Sequence, residues 1–282
     1  MILVDSSQFF IGALMAQVKM GKLDESLVRH IFLNSLRQNR SKFYGKYGEL
    51  VLCVDSREHW RKDVFPYYKA NRKKARDAST FDWKEAFKII DTIKQELVEI
   101  FPYKMISVYG AEGDDIIATL IKSQTRESNI ILSSDKDFIQ LQKYPNVVQF
   151  DVMRNKWIKD KNPELFLREH IIRGDSSDGV PNFLSGDDVL ATVGKKQKSI
   201  MQKHLDVWLS QPLDHFYNSL SETEQSNYSR NSMLIDLDNI PDNITEKILL
   251  EFRKEPIGAR SKIMGYFIKH KLRNLMECLQ EF

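Results

Sequence analysis

Alternating strand and helix patterns up to residue 160, carboxylates at the strand ends, and a helical remainder predict an α/β fold. A central, mostly parallel sheet with flanking helices is expected over residues 1–160, followed by a smaller helical C-terminal domain over 161–282. In an open parallel sheet the C-terminal ends of the strands share one edge, where ligand crevices form. Asp5 closes the run ILVD and Asp55 closes LVLCVD. Glu112, Asp114 and Asp115 follow MISVY, Asp135 and Asp137 follow NIILSS, and Asp175 and Asp178 lie in RGDSSDG.

Residues 1–5 read as a short buried strand. Asp24 to Phe43 has helical spacing, with Leu27, Ile31, Leu33 and Leu36 on one apolar face. Leu50 to Val54 is a second buried strand. Residues 56–80 are basic and aromatic with weak periodicity, a flexible strip rather than a regular element. A helix starts near Asp82, where Ser79 and Asp82 resemble a capping box, and stops before Pro102. Strand MISVY, a helix from about Gly113, strand NIILSS, a short helix DFIQLQ and strand VVQF complete the first block. Beyond it, GDSSDGVPN, SQP and NIPDN punctuate a mostly helical stretch.

The chain of 282 residues is 42% hydrophobic and 29% charged, as expected of a globular protein. A net charge of +3 decides little, so the clustering of acids and bases matters more than their balance. Of the two cysteines, Cys53 falls in a buried strand, which argues against a disulfide framework and fits a reducing compartment. No apolar run is long enough to span a bilayer, and the N-terminus enters a strand without a leader pattern, so the expected setting is cytoplasm.

Taken singly, each acid reads as a helix cap or turn residue. Gathered on one edge they repel, and divalent cations are the usual remedy. Hard oxygen donors point to Mg2+, with Mn2+ as a substitute. Two such ions a few ångströms apart can cut a phosphodiester. The histidines (His30, His59, His170, His204, His215, His270) show no paired ligand spacing. Zinc is therefore disfavoured, and each is expected to be exposed or hydrogen-bonded. No phosphate-cradling G-x-x-x-x-G-K-S/T loop is present.

The stretch from Arg57 to Arg76 carries Arg57, Arg61, Lys62, Lys69, Arg72, Lys73, Lys74 and Arg76, interleaved with Trp60, Phe65, Tyr67 and Tyr68. Basic groups track phosphates and rings stack on unpaired bases. The plainer alternative is a solvated basic helix with packing aromatics. Lys195, Lys196 and Lys198, downstream of GDSSDGVPN, are placed to meet a duplex backbone, although a surface lysine cluster fits almost as well.

Together these motifs resemble the 5′ nuclease (flap endonuclease) family. Its marks appear in order as ILVDSS, VLCVDS, YYKANR, GAEGDDIIATL, SSDKDFIQL and RGDSSDGVPN. WRKDV, YYKANRKKAR, KYPNV and LIDLDNIPDNI look like the phage ribonuclease H branch and extend the match to nearly the whole chain. The resemblance implies two Mg2+ ions. Asp5, Asp55, Glu112 and Asp114 would form the first site, with Asp115 in or near its outer shell. Asp135 would lie between the ions, and Asp137, Asp175 and Asp178 would form the second site. Arg61 and Lys69 match residues that hold the scissile phosphate, and Tyr68 one that stacks on a base. Arg72, Lys73, Lys74, Arg76, Lys195, Lys196 and Lys198 are expected to touch nucleic acid.

The implied activity is 5′-to-3′ exonuclease and flap cleavage on DNA and RNA–DNA duplexes, removing RNA primers in lagging-strand replication. A monomer is expected, in the cytoplasm of an infected bacterial host, without membrane contact. Single-stranded-DNA-binding protein and the sliding clamp are the implied replication partners. One departure stands out: the family's G-I-G-x-K turn is replaced here by GVPNFLSGDDVLATVGKK. The alternatives are a single-strand ribonuclease on a related acidic-site fold and a non-catalytic DNA-binding accessory. The first would not need the second domain or the Asp175 and Asp178 pair. The second should have lost ligands, and none is lost here.

Overall fold

The computed structural model describes residues 1–18 and 23–282; the side chains of Val18, Lys73, Lys74, Ala75 and Asp77 fall outside the described part. In chain order the elements are β1 (Ile2–Asp5), α1 (Ser6–Val18), α2 (Glu25–Tyr47), β2 (Leu50–Cys53), α3 (Trp60–Val64), α4 (Ala70–Asp77), α5 (Trp83–Ile100), β3 (Lys104–Ile106) and α6 (Gly113–Ser123). They continue with β4 (Asn129–Leu132), a 3-10 segment (Lys136–Lys143), β5 (Val147–Asp151), β6 (Lys156–Ile158) and α7 (Pro163–Arg173). The chain ends with α8 (Gln202–Ser210), α9 (Leu213–Asn218), α10 (Glu222–Ile235), α11 (Asp242–Phe252), α12 (Arg260–Lys269) and α13 (Arg273–Met276), followed by a short 3-10 turn (Leu279–Glu281).

The sheet runs β3-β2-β1-β4-β5-β6. Its first five strands are parallel, and β6 returns antiparallel to β5. From β1 the chain winds outward to β2 and β3, then returns to the other side of β1 for β4. That reversal makes β1/β4 the topological switch point, where loops diverge and leave a crevice. Asp5 ends β1 and Asp135 follows β4, so the crevice opens between two carboxylates.

Both faces of the sheet are covered, and strand side chains sort by the two-residue period. Ile2, Val4, Leu50, Leu52, Ile130 and Leu132 pack with α1, α2, α5 and the C-terminal Phe267 and Phe282. Leu3, Val51, Cys53 and Ile131 pack with α6 and with Ile244 and Ile248 of α11. A third core joins Phe65 and Tyr68 to the helical half through Ile172, Phe183, Phe216 and Leu234. Residues 161–282 are helical, as expected, but they contribute to all three cores.

Several expectations need correction. Helix α2 is capped by Asp24, yet its deepest positions are Val28, Phe32, Leu33 and Leu36. Leu27 and Ile31 lie at the edge, because the helix packs on both α1 and the sheet. Helix α5 is capped by Asp82 alone, whose side chain accepts from the Glu85 N–H at 3.0 Å. Ser79 instead accepts from the Phe81 N–H. Strand β3 stops at Ile106, and DFIQLQ is 3-10 rather than α-helical. The sequence reading did not include α1 or β6. Nor is 56–80 a strip without structure. It forms α3 and α4, anchored by the buried Trp60, Phe65 and Tyr68.

Candidate active site

The strand ends and the Gly174–Val180 turn converge on one cleft of about 140 Å³. Asp5, Asp55, Glu112, Asp114, Asp135, Asp137, Asp175 and Asp178 line it, together with, among the described residues, only two cations, Lys69 and Arg72. Among the acids expected at the site, only Asp115 is absent from the lining.

Local hydrogen bonds aim the carboxylates. Asp5 caps α1, accepting from the Gln8 N–H at 3.2 Å and from Ser133 Oγ at 2.8 Å. Gln8 reaches across the switch point, where its side chain donates to Ser134 Oγ and accepts from the Ser134 N–H. Asp55 accepts from Ser7 Oγ at 2.7 Å and from the Gly113 N–H at 2.6 Å. A Cβ at Gly113 would lie 3.1 Å from the Asp55 carboxylate, so glycine permits this approach. Asp135 accepts from the Asp137 N–H at 3.0 Å. Asp175 accepts from Ser177 N–H and Oγ at 2.8 and 2.7 Å.

Lys69 adopts a left-handed backbone, φ 56°, and donates its N–H to the Asp178 carbonyl at 2.7 Å. Gly179 (φ 76°) passes so close that a Cβ there would sit 2.9 Å from the Tyr67 carbonyl. This crossing locks the basic segment onto the acidic turn. The Lys69 ammonium bonds Glu112 and lies 3.5 Å from Asp178, while Arg72 bonds the other oxygen of Asp178. Two protein cations therefore stand among the carboxylates.

Burial shapes the charges. It raises Asp5 to about 6, assisted by the neighbouring charge of Asp55. It raises Asp137 to about 7, assisted by Asp135. Asp114 and Asp135 are raised for the same reason, burial among other carboxylates. Burial also pushes Glu112 upward, but the charges of Lys69 and Arg61 outweigh it and lower the group to about 2. Burial works against the Lys69 ammonium, yet Glu112 and Asp178 raise it on balance.

Arg61 and Tyr68 are not placed as the resemblance implied, and Asp115 is buried beside Arg61. Arg61 is buried and offers nothing to a phosphate: it donates to the Leu234 carbonyl at 2.8 Å, to Glu112 at 2.8 Å and to Asp115 at 3.0 Å. Asp115 lies beneath the cleft, accepting from Trp60 Nε1, Arg61 and the Glu112 N–H. The Tyr68 ring is in the third core, and its hydroxyl donates within 2.9 Å of Glu112 and Asp178, so it presents no face to a base. In each case the cause is burial of a polar group that must be paired.

Of the outer bases, Arg76 stands over the Phe87 ring at 5.9 Å. Lys195 pairs with Asp188 at 2.5 Å, and Lys196 and Lys198 are exposed on the long 174–201 connection. The side chains of Lys73 and Lys74 lie outside the described residues. Sequence reasoning missed the orienting residues Ser7, Gln8 and Ser133, and it missed His170. The His170 Nε2 lies 3.6 Å from Asp137 and 3.8 Å from Asp175. The HxxxxD spacing of His170 and Asp175 was visible, but only the fold brings Asp137 to the pair.

Known proteins give the family. The family model described as 5'-3' exonuclease, N-terminal resolvase-like domain, matches residues 1–168, and that described as T4 RNase H, C terminal, matches 161–282. Ribonuclease H of Enterobacteria phage T4 is 36% identical over 290 residues, covering 99% of this chain and 95% of that protein. A 5'-3' exonuclease of Buchnera aphidicola (subsp. Schizaphis graminum) is 28% identical over 158 residues, 53% of this chain and 52% of that protein. Among solved structures, T5 D15 protein co-crystallised with metal ions superposes with a TM-score of 0.66 at 15% identity, covering 89% of this chain and 98% of that one. A D15 flap endonuclease complex with DNA and metal ions gives a TM-score of 0.63 at 16% identity, covering 90% and 99%. The D15 likeness shows the fold. This chain belongs to the 5′–3′ exonuclease family, and it is a nuclease. Among the described residues no helix is long and apolar enough to cross a membrane.

Two predictions follow from the site's charges. Arg61→Met removes the one guanidinium that pairs with both buried Glu112 and buried Asp115, so it should cost about 3–5 kcal/mol of stability in denaturant titration. Normal stability with a large rate loss would mean that Arg61 acts on the phosphate after all. The second concerns pH. In chelator, Asp5 and Asp137 contribute their full stability below 3.8, the ordinary value, and lose it as pH rises through about 6 and about 7. The chelated protein should therefore melt at a lower temperature at pH 8 than at pH 5. Added Mn2+ should raise the melting temperature more at pH 8, because protons no longer compete for the acids. An equal ion-induced shift at both pH values would contradict this picture.

Proposed function

We propose that the chain is a divalent-metal-dependent 5′ nuclease that removes RNA primers and adjoining DNA from 5′ ends and cuts 5′ flaps. The observation that carries this reading is the convergence of eight carboxylates on one cleft where, among the described residues, only Lys69 and Arg72 supply counter-charge. The donor set fits hard divalent cations, and Mg2+ is the proposed resident ion, with Mn2+ able to substitute. Asp5, Asp55, Glu112 and Asp114 would hold one ion, Asp137, Asp175 and Asp178 the other, and Asp135 would lie between the two groups. When bound, two such ions supply an activated water and stabilise the leaving 3′ oxygen.

The chain's own residues do the rest. Ser7, Gln8, Ser133 and the Gly113 N–H fix the carboxylate directions, so little reorganisation is left for the reaction itself. With Glu112 and Asp178 engaged by ions, Lys69 and Arg72, which pair with them here, would be available as donors for the scissile phosphate. Their place at the cleft makes them the clamp that the sequence assigned to Arg61 and Lys69. Lys196 and Lys198, exposed beyond the cleft, would add duplex affinity through counterion release. Family membership supports substrates with 5′ ends, and a monomer working beside single-stranded-DNA-binding protein and the sliding clamp is part of the same proposal.

Labelled 5′-flap and primer RNA–DNA substrates should both be cut in Mg2+ and left intact in chelator. Asp135→Asn should slow single-turnover cleavage by about 1000-fold or more, roughly 4 kcal/mol of lost transition-state stabilisation, and leave DNA binding within a few-fold. Near-normal turnover in that variant would remove Asp135 from the reaction and with it the proposed division of the acids.

A further inference from the structure

His170 sits in the last turn of α7 and is the only histidine grouped with two carboxylates among the described residues. Its Nε2 and oxygens of Asp137 and Asp175 all lie within 4.8 Å of one another. Nε2 is buried and has no hydrogen-bond partner. At 3.6 and 3.8 Å from the two carboxylates it is beyond direct hydrogen-bonding range. Those separations suit a shared ion. Two donors each about 2.1 Å from one octahedral cation stand about 3.0 Å apart when adjacent and about 4.2 Å apart when opposite, and the observed separations fall within that span.

We propose that His170 Nε2 is a direct ligand of the second divalent ion, making that site a mixed nitrogen–oxygen centre with Asp137 and Asp175. The proposal rests on the two-ion reading above. A nitrogen donor changes which ion the site prefers. Mg2+ takes oxygen ligands and tolerates distortion poorly, whereas imidazole suits transition metals. The second site should therefore favour Mn2+ over Mg2+ more strongly than the all-oxygen first site.

Mn2+ itself is the probe. Its binding to the full chain is counted by titration, and pulsed electron paramagnetic resonance reads nitrogen bound to it. Two bound ions and a nitrogen coupling are expected, with the coupling changing when histidine is uniformly 15N-labelled. Labelling needs no mutation, so folding is not at issue. His170→Gln, checked for a native melting curve, should lose the coupling and weaken the second Mn2+ by at least about tenfold, with little change for Mg2+. Two bound ions without nitrogen coupling would overturn the ligand assignment and leave the two-ion reading intact; His170 would then be only an ion-pair partner. Coupling that persists in His170→Gln would place the nitrogen elsewhere, for example on His59, 3.7 Å from Glu112, and would overturn the assignment equally. Fewer than two ions in both proteins would defeat the two-ion reading itself.

Discussion

Repulsion among buried carboxylates governs this molecule. Two like charges about 4 Å apart cost about 4 kcal/mol at an effective dielectric of about 20, and the cleft gathers eight acids. No folded chain holds such a group ionised without compensation. Here it comes from three sources: Lys69 and Arg72 pair with Glu112 and Asp178, Arg61 supports Glu112 from below, and Asp5 and Asp137 keep protons to higher pH. Divalent cations would replace the protons and free the two bases at the cleft. The same electrostatics thus links ion binding to the availability of a phosphate clamp.

Much of the fold serves this arrangement. The switch point between β1 and β4 opens the crevice, and α1 starts at once after β1 so that Ser7 and Gln8 reach the neighbouring acids. The helical half is no separate appendage. Its segment Leu234–Leu237 accepts from Arg61 and Gln140, and the Leu237 N–H donates to Gln140 Oε1, tying α10 to the underside of the acidic loops. Tyr68 joins the third core to Glu112 and Asp178. Disturbing the helical packing should therefore reach the cleft through Arg61 and Tyr68.

The sequence made the strand-end acids legible because a strand's end and its following carboxylate are local features. The sheet's parallel topology then brings them together without further information. Burial of charged groups was not legible. Arg61 and Tyr68 sit in a basic, aromatic stretch whose composition suits nucleic-acid contact, and only the third core and the Leu234 carbonyl show that they face inward. Helix α1 was missed because its apolar residues lie nearly all round it, which weakens the periodic signal. His170 was set aside because its partners Asp137 and Asp175 come from two separate loops.

Anomalous scattering from crystals soaked in Mn2+ tests the central claim most directly. We expect two peaks in the cleft, one among Asp5, Asp55 and Asp114 and one beside Asp137 and Asp175, with the Lys69 ammonium withdrawn from Glu112. Peaks elsewhere, or a Lys69–Glu112 pair unchanged under full occupancy, would show that the carboxylates are balanced by the protein alone.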